Sequence, residues 1–153
     1  MDDIFREEAS DGASGQQLLG AFVAEIAALY PGWTPTTGPS ADPADFVPPR
    51  GRFIVAYTGA EPVACGGLKP LDRGAAEIKR LYVRPDMRGR GLGRRVLGEL
   101  ERVALTLGYT AVRLDTGGQQ PDAARLFEAA DYQEIPDYNG NPFANRWFEK
   151  SLK

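Results

Sequence analysis

The chain contains no histidine and a single cysteine, Cys65. Without histidine there is no Ser-His-Asp or Cys-His nucleophile, no HExxH zinc helix and no imidazole general base. One cysteine cannot close an internal disulfide, and a thiolate-ligated zinc or iron–sulfur site needs several. No metal is therefore expected. Long apolar runs are missing too. The most apolar stretch, Ala21 to Tyr30, is short and broken by Glu25, so no segment is expected to span a membrane. The start, Met1 to Glu8, is acidic and lacks the basic and apolar regions of a signal peptide. With a lone thiol, this predicts a reducing, cytoplasmic setting. A net charge of −3 and a pI near 5.1 argue against a broad basic face for nucleic acid. Two classes are left: an enzyme working through carboxylates, tyrosines, backbone amides or a bound cosubstrate, or a binding module.

The length, 153 residues, is that of one ordinary domain. Asp2 to Ala9 is compatible with a short strand. Leu18, Leu19, Phe22, Val23, Ile26, Ala27 and Tyr30 recur at helical spacing and end before Pro31-Gly32. Six of the twelve prolines fall between Pro31 and Gly51, which excludes a continuous helix or central strand there and predicts a long loop, of a kind often functional. Phe53–Tyr57 and Pro62–Leu68 read as a hairpin about the turn Thr58–Glu61, and Glu77–Val83 as the next strand. Val96, Leu97, Leu100, Val103, Ala104 and Leu107 form a helical stripe closed by Gly108. Ala111–Asp115 is a strand, Pro121 opens a helix, and Tyr132–Ile135 and Arg146–Leu152 are two further strands around a Pro-Asn-Gly loop. The predicted order is β-α-β-β-β-α-β-α-β-β. It is an α/β arrangement: one mixed sheet flanked by about three to four helices.

Charge is unevenly placed. Lys79, Arg80, Arg84, Arg88, Arg90, Arg94 and Arg95 share a segment with one acid, Asp86, so residues 79–95 carry +6 and the remainder −9. That remainder favours a cationic partner by steering. The basic run coincides with Gly89, Gly91 and Gly93, which a solvated helix face would not tolerate well. Glycines between a strand and a helix let the backbone approach a ligand, the helix N-terminus favours an anion, and Arg88, Arg90 and Arg94 can close on phosphate oxygens. A phosphorylated cosubstrate is the expected ligand. The P-loop pattern GxxxxGK[ST] is absent. Of the dinucleotide pattern GxGxxG only part is met, because Arg94 occupies the third glycine position, although Asp115 lies roughly twenty residues downstream, where a ribose contact would fall.

The run Arg88-x-x-Gly91-x-Gly93 after a strand ending in Val83 resembles the pyrophosphate loop of the GNAT superfamily of acyl-CoA-dependent N-acetyltransferases. Leu126-Phe127-Glu128-Ala129-Ala130-Asp131-Tyr132 is similar to a degenerate form of that superfamily's Leu-Tyr-x-x-x-Gly-Phe segment, with Ala123 at the upstream alanine. Tyr138-Asn139-Gly140-Asn141-Pro142-Phe143 and Trp147-Phe148 resemble the ending of many bacterial members. The resemblance runs from about residue 2 to 152 and implies a single acetyltransferase domain over residues 1–153, with the loop 31–51 near the acceptor. It implies transfer of the acetyl group of acetyl-CoA to an amine, of a small molecule or a protein, by direct attack in a ternary complex. It also implies that Leu81, Tyr82 and Val83 offer backbone groups to the pantetheine arm, and that residues 88–94, Leu92 included, hold the pyrophosphate. Phe127 would lie beside the thioester sulfur, where most members place a tyrosine. Glu77, six residues before Val83, has the spacing of the general base in the superfamily's histone acetyltransferases.

Each of these residues has a second reading. Glu77 could be a strand-end glutamate paired with Lys79 or Arg80, and Cys65, in an apolar strand without an evident base, reads as a buried small hydrophobe. Tyr138, preceding an Asn-Gly turn, is the tyrosine expected to reach the site and to replace the missing hydroxyl at Phe127. Without a tyrosine at 127 the chain could instead be a catalytically weak acyl-CoA-binding module. A homodimer stays open.

Overall fold

The computed structural model describes residues 3–39, 41–72 and 74–153. Seven strands and three α-helices follow in the predicted order among these residues: β1 (Asp3–Glu7), α1 (Ala13–Leu29), β2 (Arg52–Thr58), β3 (Glu61–Asp72), β4 (Ala75–Val83), α2 (Leu92–Thr106), β5 (Ala111–Thr116), α3 (Pro121–Ala129), β6 (Gln133–Ile135) and β7 (Arg146–Ser151). Met1 and Asp2, the first of which opens the acidic start and the second the predicted first strand, lie outside the described residues. The proline-rich segment is a loop, as its composition predicts, with one 3₁₀ turn at Pro43–Phe46. Asp42 and Asp45 cap that turn reciprocally.

All strands join one sheet in the order β1-β2-β3-β4-β5-β7-β6. Every neighbouring pair is antiparallel except β4 and β5, which are parallel and joined through α2. A parallel pair needs a crossover of a dozen residues or more, and the stripe on α2 supplies it. Val96, Leu97, Leu100 and Ala104 of α2 are fully buried against Ile54, Ala64, Leu68, Ile78 and Leu114 of the sheet.

The opposite face carries a smaller cluster of Leu18, Phe46, Phe53, Val55, Cys65 and Tyr82 under α1. Glycines on β3 set how closely each layer approaches. A Cβ on Gly66 would come within 2.7 Å of Leu100, and one on Gly67 within 2.4 Å of Phe46. Cys65 is fully buried between them, its Sγ–H donating to the Arg80 carbonyl at 3.5 Å. Burial pushes the thiol up to about 12, so it is unreactive at neutral pH and the packing reading of this residue holds.

The strand β4 is irregular at its middle. Cys65 pairs with Tyr82 and Gly67 with Lys79, so Arg80 and Leu81 together oppose Gly66. This is a bulge, and Arg80 sits in it with φ of 59°. Parity along the strand changes there. Leu81 keeps to the α2 core, while Lys79, Arg80 and Tyr82 all face the α1 side.

Candidate active site

The parallel ladder between β4 and β5 is three residues long: Ala75 with Ala111, Ala76 with Val112, Glu77 with Arg113. Beyond it the strands diverge. A cavity of about 160 Å³ opens in the fork, walled by Lys79, Arg80 and Leu81 on one limb and Leu114, Asp115 and Thr116 on the other. α3 closes it from below through Ala123 and Phe127, and α1 with the proline-rich loop lies over it through Phe22, Ile26 and Trp33. Tyr30 fixes that cover to the β5–α3 connection. Its hydroxyl accepts from the Gln119 amide and donates to Gln120 Oε1, both at 3.1 Å.

The start of α2 abuts the open end of the fork. A Cβ on Gly93 would lie 3.6 Å from Val83 and 3.4 Å from Leu126 of α3. Gly89 and Gly91 have φ of 80° and 78°, left-handed values that favour glycine. Gly91 is the N-cap of α2 and brings no capping side chain, and the first turn holds no acid. The intrahelical ladder begins with Arg95 donating to Gly91, so the amides of Leu92, Gly93 and Arg94 are left for an outside acceptor.

Most of the predicted basic cluster is already engaged. Arg84 pairs with Asp86 and Glu61, Arg95 with Asp3, and Arg88 with Glu25 at 2.8 Å while donating to the Val83 carbonyl at 2.9 Å. Arg88 thereby ties the loop to α1 and to the end of β4. Arg90 and Arg94 are exposed and have no carboxylate within ion-pair distance among the described residues. These two, with the helix amides, are the part of the cluster at the mouth of the fork that is available to a phosphate.

A polar network occupies the closed end of the fork. Glu77 is 1% exposed and its Oε2 accepts from the Tyr138 hydroxyl at 2.6 Å and from Asn139 Nδ2 at 2.9 Å. Asn139 Nδ2 also donates to Asp115 Oδ2 at 2.7 Å, and Asn141 Nδ2 donates there at 3.2 Å. Lys79 Nζ stands 3.9 Å from Glu77 and 4.0 Å from Asp115 and offsets the charge of both. The amide of Asn139 can sit only one way round. Its oxygen accepts from Trp147 Nε1 at 2.9 Å, a donor-only group, and its nitrogen faces two acceptors.

The loop that delivers these side chains is built from its own turn residues. Asp137 Oδ1 accepts from the amides of Asn139 and Gly140 at 2.9 and 2.7 Å, and Gly140 takes φ of 67°. Tyr138 titrates above the ordinary tyrosine range because it is buried beside the Glu77 carboxylate. Its hydroxyl is committed to Glu77 and does not line the cavity.

Among the predicted site residues, Leu81 and Phe127 reach the cavity wall. Phe127 is 4% exposed, packed on Phe148 and Tyr132 at 5.7 and 6.0 Å. Tyr82 packs edge-on to Phe22 at 6.1 Å. Glu77 and Tyr138 are brought together but stand behind the wall. Lys79 appears in the sequence reading only as a charge and as a partner for Glu77, and it does make that pair. Asp115 appears there only as a ribose candidate, and Arg80 only as a charge. The alternation of β5 puts Asp115 on one face with Arg113, which a sequence can convey. The bulge that turns Arg80 inward leaves no sequence signal.

A mixed sheet forked between two parallel strands, with an uncapped helix start at the mouth of the fork, defines a class of acyltransferase. The chain belongs to the acetyltransferase (GNAT) family, whose profile matches residues 21–132, and the family's acyl donor is acetyl-CoA. An uncharacterized N-acetyltransferase of Schizosaccharomyces pombe is 34% identical over 100 residues, 64% of this chain and 61% of the relative. The chain thus spans about three fifths of that protein's length. An IAA acetyltransferase of Azospirillum brasilense is 33% identical over 105 residues, 66% of this chain and 68% of the relative. A crystal structure assigned as an acyl-CoA N-acyltransferase from Klebsiella pneumoniae superposes with a TM-score of 0.81 at 26% identity, covering 99% of this chain and 98% of that one. The yncA structure from Salmonella typhimurium, holding acetyl-CoA, shares the fold with a TM-score of 0.67 at 14% identity, covering 100% and 95%. No helix among the described residues is long and apolar enough to cross a membrane.

Proposed function

We propose that this chain transfers the acetyl group of acetyl-CoA to an amine by direct attack in a ternary complex, within one domain and with no covalent acyl-enzyme. The observation that carries this reading is the three-residue ladder between β4 and β5, beyond which the facing edges of the two strands no longer pair with each other and can take up the pantetheine arm. The free amides of Leu92–Arg94, with Arg90 and Arg94, suit the pyrophosphate, and the loop 31–51 walls the acceptor side. Acetyl-CoA supplies an activated acyl group. The chain's own residues must hold it, exclude water and remove a proton from the amine.

An amine of pKa about 10.4 is neutral in roughly 4 of 10⁴ molecules at pH 7, about 4.6 kcal/mol uphill, so a base at the cavity matters. Asp115 is the carboxylate on the wall. All its contacts fall on Oδ2, from Asn139, Asn141 and Lys79, which leaves Oδ1 to accept the proton directly or through a water. Glu77, the base that the family resemblance implies, acts in this reading as a positioning residue that anchors Tyr138 and Asn139. No side-chain acid is needed for the departing thiolate. A thiol of pKa near 8.5 lies only about 2 kcal/mol below its anion at pH 7, so phenylalanine at 127 is tolerable.

The test is release of free thiol from acetyl-CoA with a panel of amines, with product masses read by mass spectrometry and CoA binding read by calorimetry. Amine-dependent release with a product 42 mass units heavier, the size of an acetyl replacing a hydrogen, is expected (about 42, from the acyl chemistry alone). CoA binding without release for any amine would replace this reading with an acyl-CoA-binding module.

A further inference from the structure

We propose that Arg80 anchors a carboxylate of the acceptor, so that the amine acetylated by this chain is an amino acid with an apolar side chain; the inference rests on the acyl transfer argued above. The −9 balance outside the basic segment points by steering to a cationic acceptor, but the cavity itself is lined otherwise. In a regular strand Arg80 would share its face with Ile78 and enter the α2 core. The bulge at φ of 59° places it beside Lys79 on the cavity side instead. A non-glycine residue held at such a φ costs energy and is concentrated at functional positions.

The guanidinium of Arg80 lies over the rings of Phe22 at 5.2 Å and Trp33 at 5.8 Å, on the wall of the cavity. Among the described residues its guanidinium makes one hydrogen bond, from Nη2 to the Pro35 carbonyl at 3.2 Å. A guanidinium has five donors, so most of this half-buried group is unsatisfied by the protein. Among the described residues no carboxylate lies within ion-pair distance of it, whereas Arg84, Arg88, Arg95, Arg113 and Arg146 are all paired. Asp42 influences it only from farther away, and burial draws its pKa below the ordinary arginine value. A cation partly withdrawn from water and flanked by aromatic faces favours an anion with good geometry, and a carboxylate matches its planar fork.

The opposite limb of the same cavity presents Asp115. A cation and a carboxylate on facing walls match the two ends of an amino acid: carboxylate to Arg80, amine to Asp115. Phe22, Ile26, Tyr30 and Phe143 provide apolar surface for its side chain. A simple alkyl amine would leave Arg80 unpaired, and a polyamine would bring a second positive charge against it.

The test compares L-phenylalanine and L-leucine with phenethylamine and isoamylamine, the same molecules without the carboxylate, in the thiol-release assay. For the unmodified protein KM should be at least tenfold lower for the amino acids. Arg80→Gln should raise KM for the amino acids at least tenfold and leave KM for the amines within twofold, and Arg80→Lys should recover part of the difference. In parallel, calorimetry follows L-phenylalanine binding to CoA-saturated protein and to Arg80→Gln. Arg80-dependent binding without turnover upholds the anchor and overturns the transfer reading. Turnover with no preference for the carboxylate, or an equal loss for acids and amines in Arg80→Gln, overturns the anchor alone. Neither turnover nor binding overturns both.

Discussion

At 1% exposure, Glu77 cannot meet a bound amine unless Tyr138 and Asn139 move away from it. Asp115, 12% exposed at its side chain and on the cavity wall, has no such barrier. The two carboxylates share Asn139 and Lys79, so deleting either disturbs the other, and the pH profile separates their roles. Asp115→Asn should lower turnover about 10²- to 10⁴-fold at pH 7, with the deficit shrinking as pH approaches the pKa of the amine, because the amine then needs no base. Glu77→Gln keeps the shape, and its amide oxygen can still accept the two hydrogen bonds that Oε2 receives. It should lower turnover by a factor that stays constant with pH, and leave CoA affinity intact. Steady-state rates between pH 6.5 and 9.5 decide the matter. A pH-dependent deficit in Glu77→Gln with none in Asp115→Asn would move the base to Glu77.

On the scale of single elements, the start of α2 and its body ask opposite things of glycine. Gly91 holds a left-handed φ and a Cβ there would meet no protein atom within 4 Å. Backbone conformation, not packing, therefore restricts the position. Gly91→Val forces a β-branched residue into that conformation and pulls the amides of the first turn out of line, a strain of about 1–3 kcal/mol. CoA affinity measured by calorimetry should fall at least tenfold while the fold persists. Gly98, in the exposed middle of the same helix, also has open space around it but an ordinary helical φ. Gly98→Ala should gain up to about 1 kcal/mol in chemical denaturation and leave CoA affinity unchanged. Unaltered CoA binding in Gly91→Val would remove the pyrophosphate from this loop.

Over the whole molecule, α1 bridges the segments that follow both limbs of the fork. Arg88 and Glu25 tie the glycine loop to α1, and Tyr30 ties the end of α1 to the segment between β5 and α3. A ligand spanning the loop and the fork would brace these separate connections at once. By mass action, CoA at a hundredfold excess over its Kd should stabilise the fold by about 2.7 kcal/mol, a rise of roughly 5–10 °C in Tm for a chain of this size. Scanning calorimetry with and without CoA measures it. A rise below about 2 °C at saturation, after allowance for the measured Kd, would show that CoA does not engage the folded state as argued.

Much of this was legible in the order of residues. Stripes of period 3.6 set α1 and α2, the prolines of residues 31–51 excluded regular structure, and glycines bracketed by arginines marked the start of α2 as an anion site. Those are local matters, decided by neighbours along the chain. Tertiary structure alone decided which charges remain available. Arg88 and Arg95 meet their acids, Glu25 and Asp3, across distances the sequence does not express, whereas Arg84 pairs most closely with its near neighbour Asp86. Around the glycine loop Arg90 and Arg94 are left to a phosphate. Pairing across the sheet likewise determined that the loop after Ile135 would seal Glu77 behind Tyr138 and Asn139 while leaving Asp115 at the wall. A strand's pattern fixes parity only until a bulge inserts one residue, and that register depends on the partner strand. One such insertion opposite Gly66 turned Arg80 from the core to the cavity.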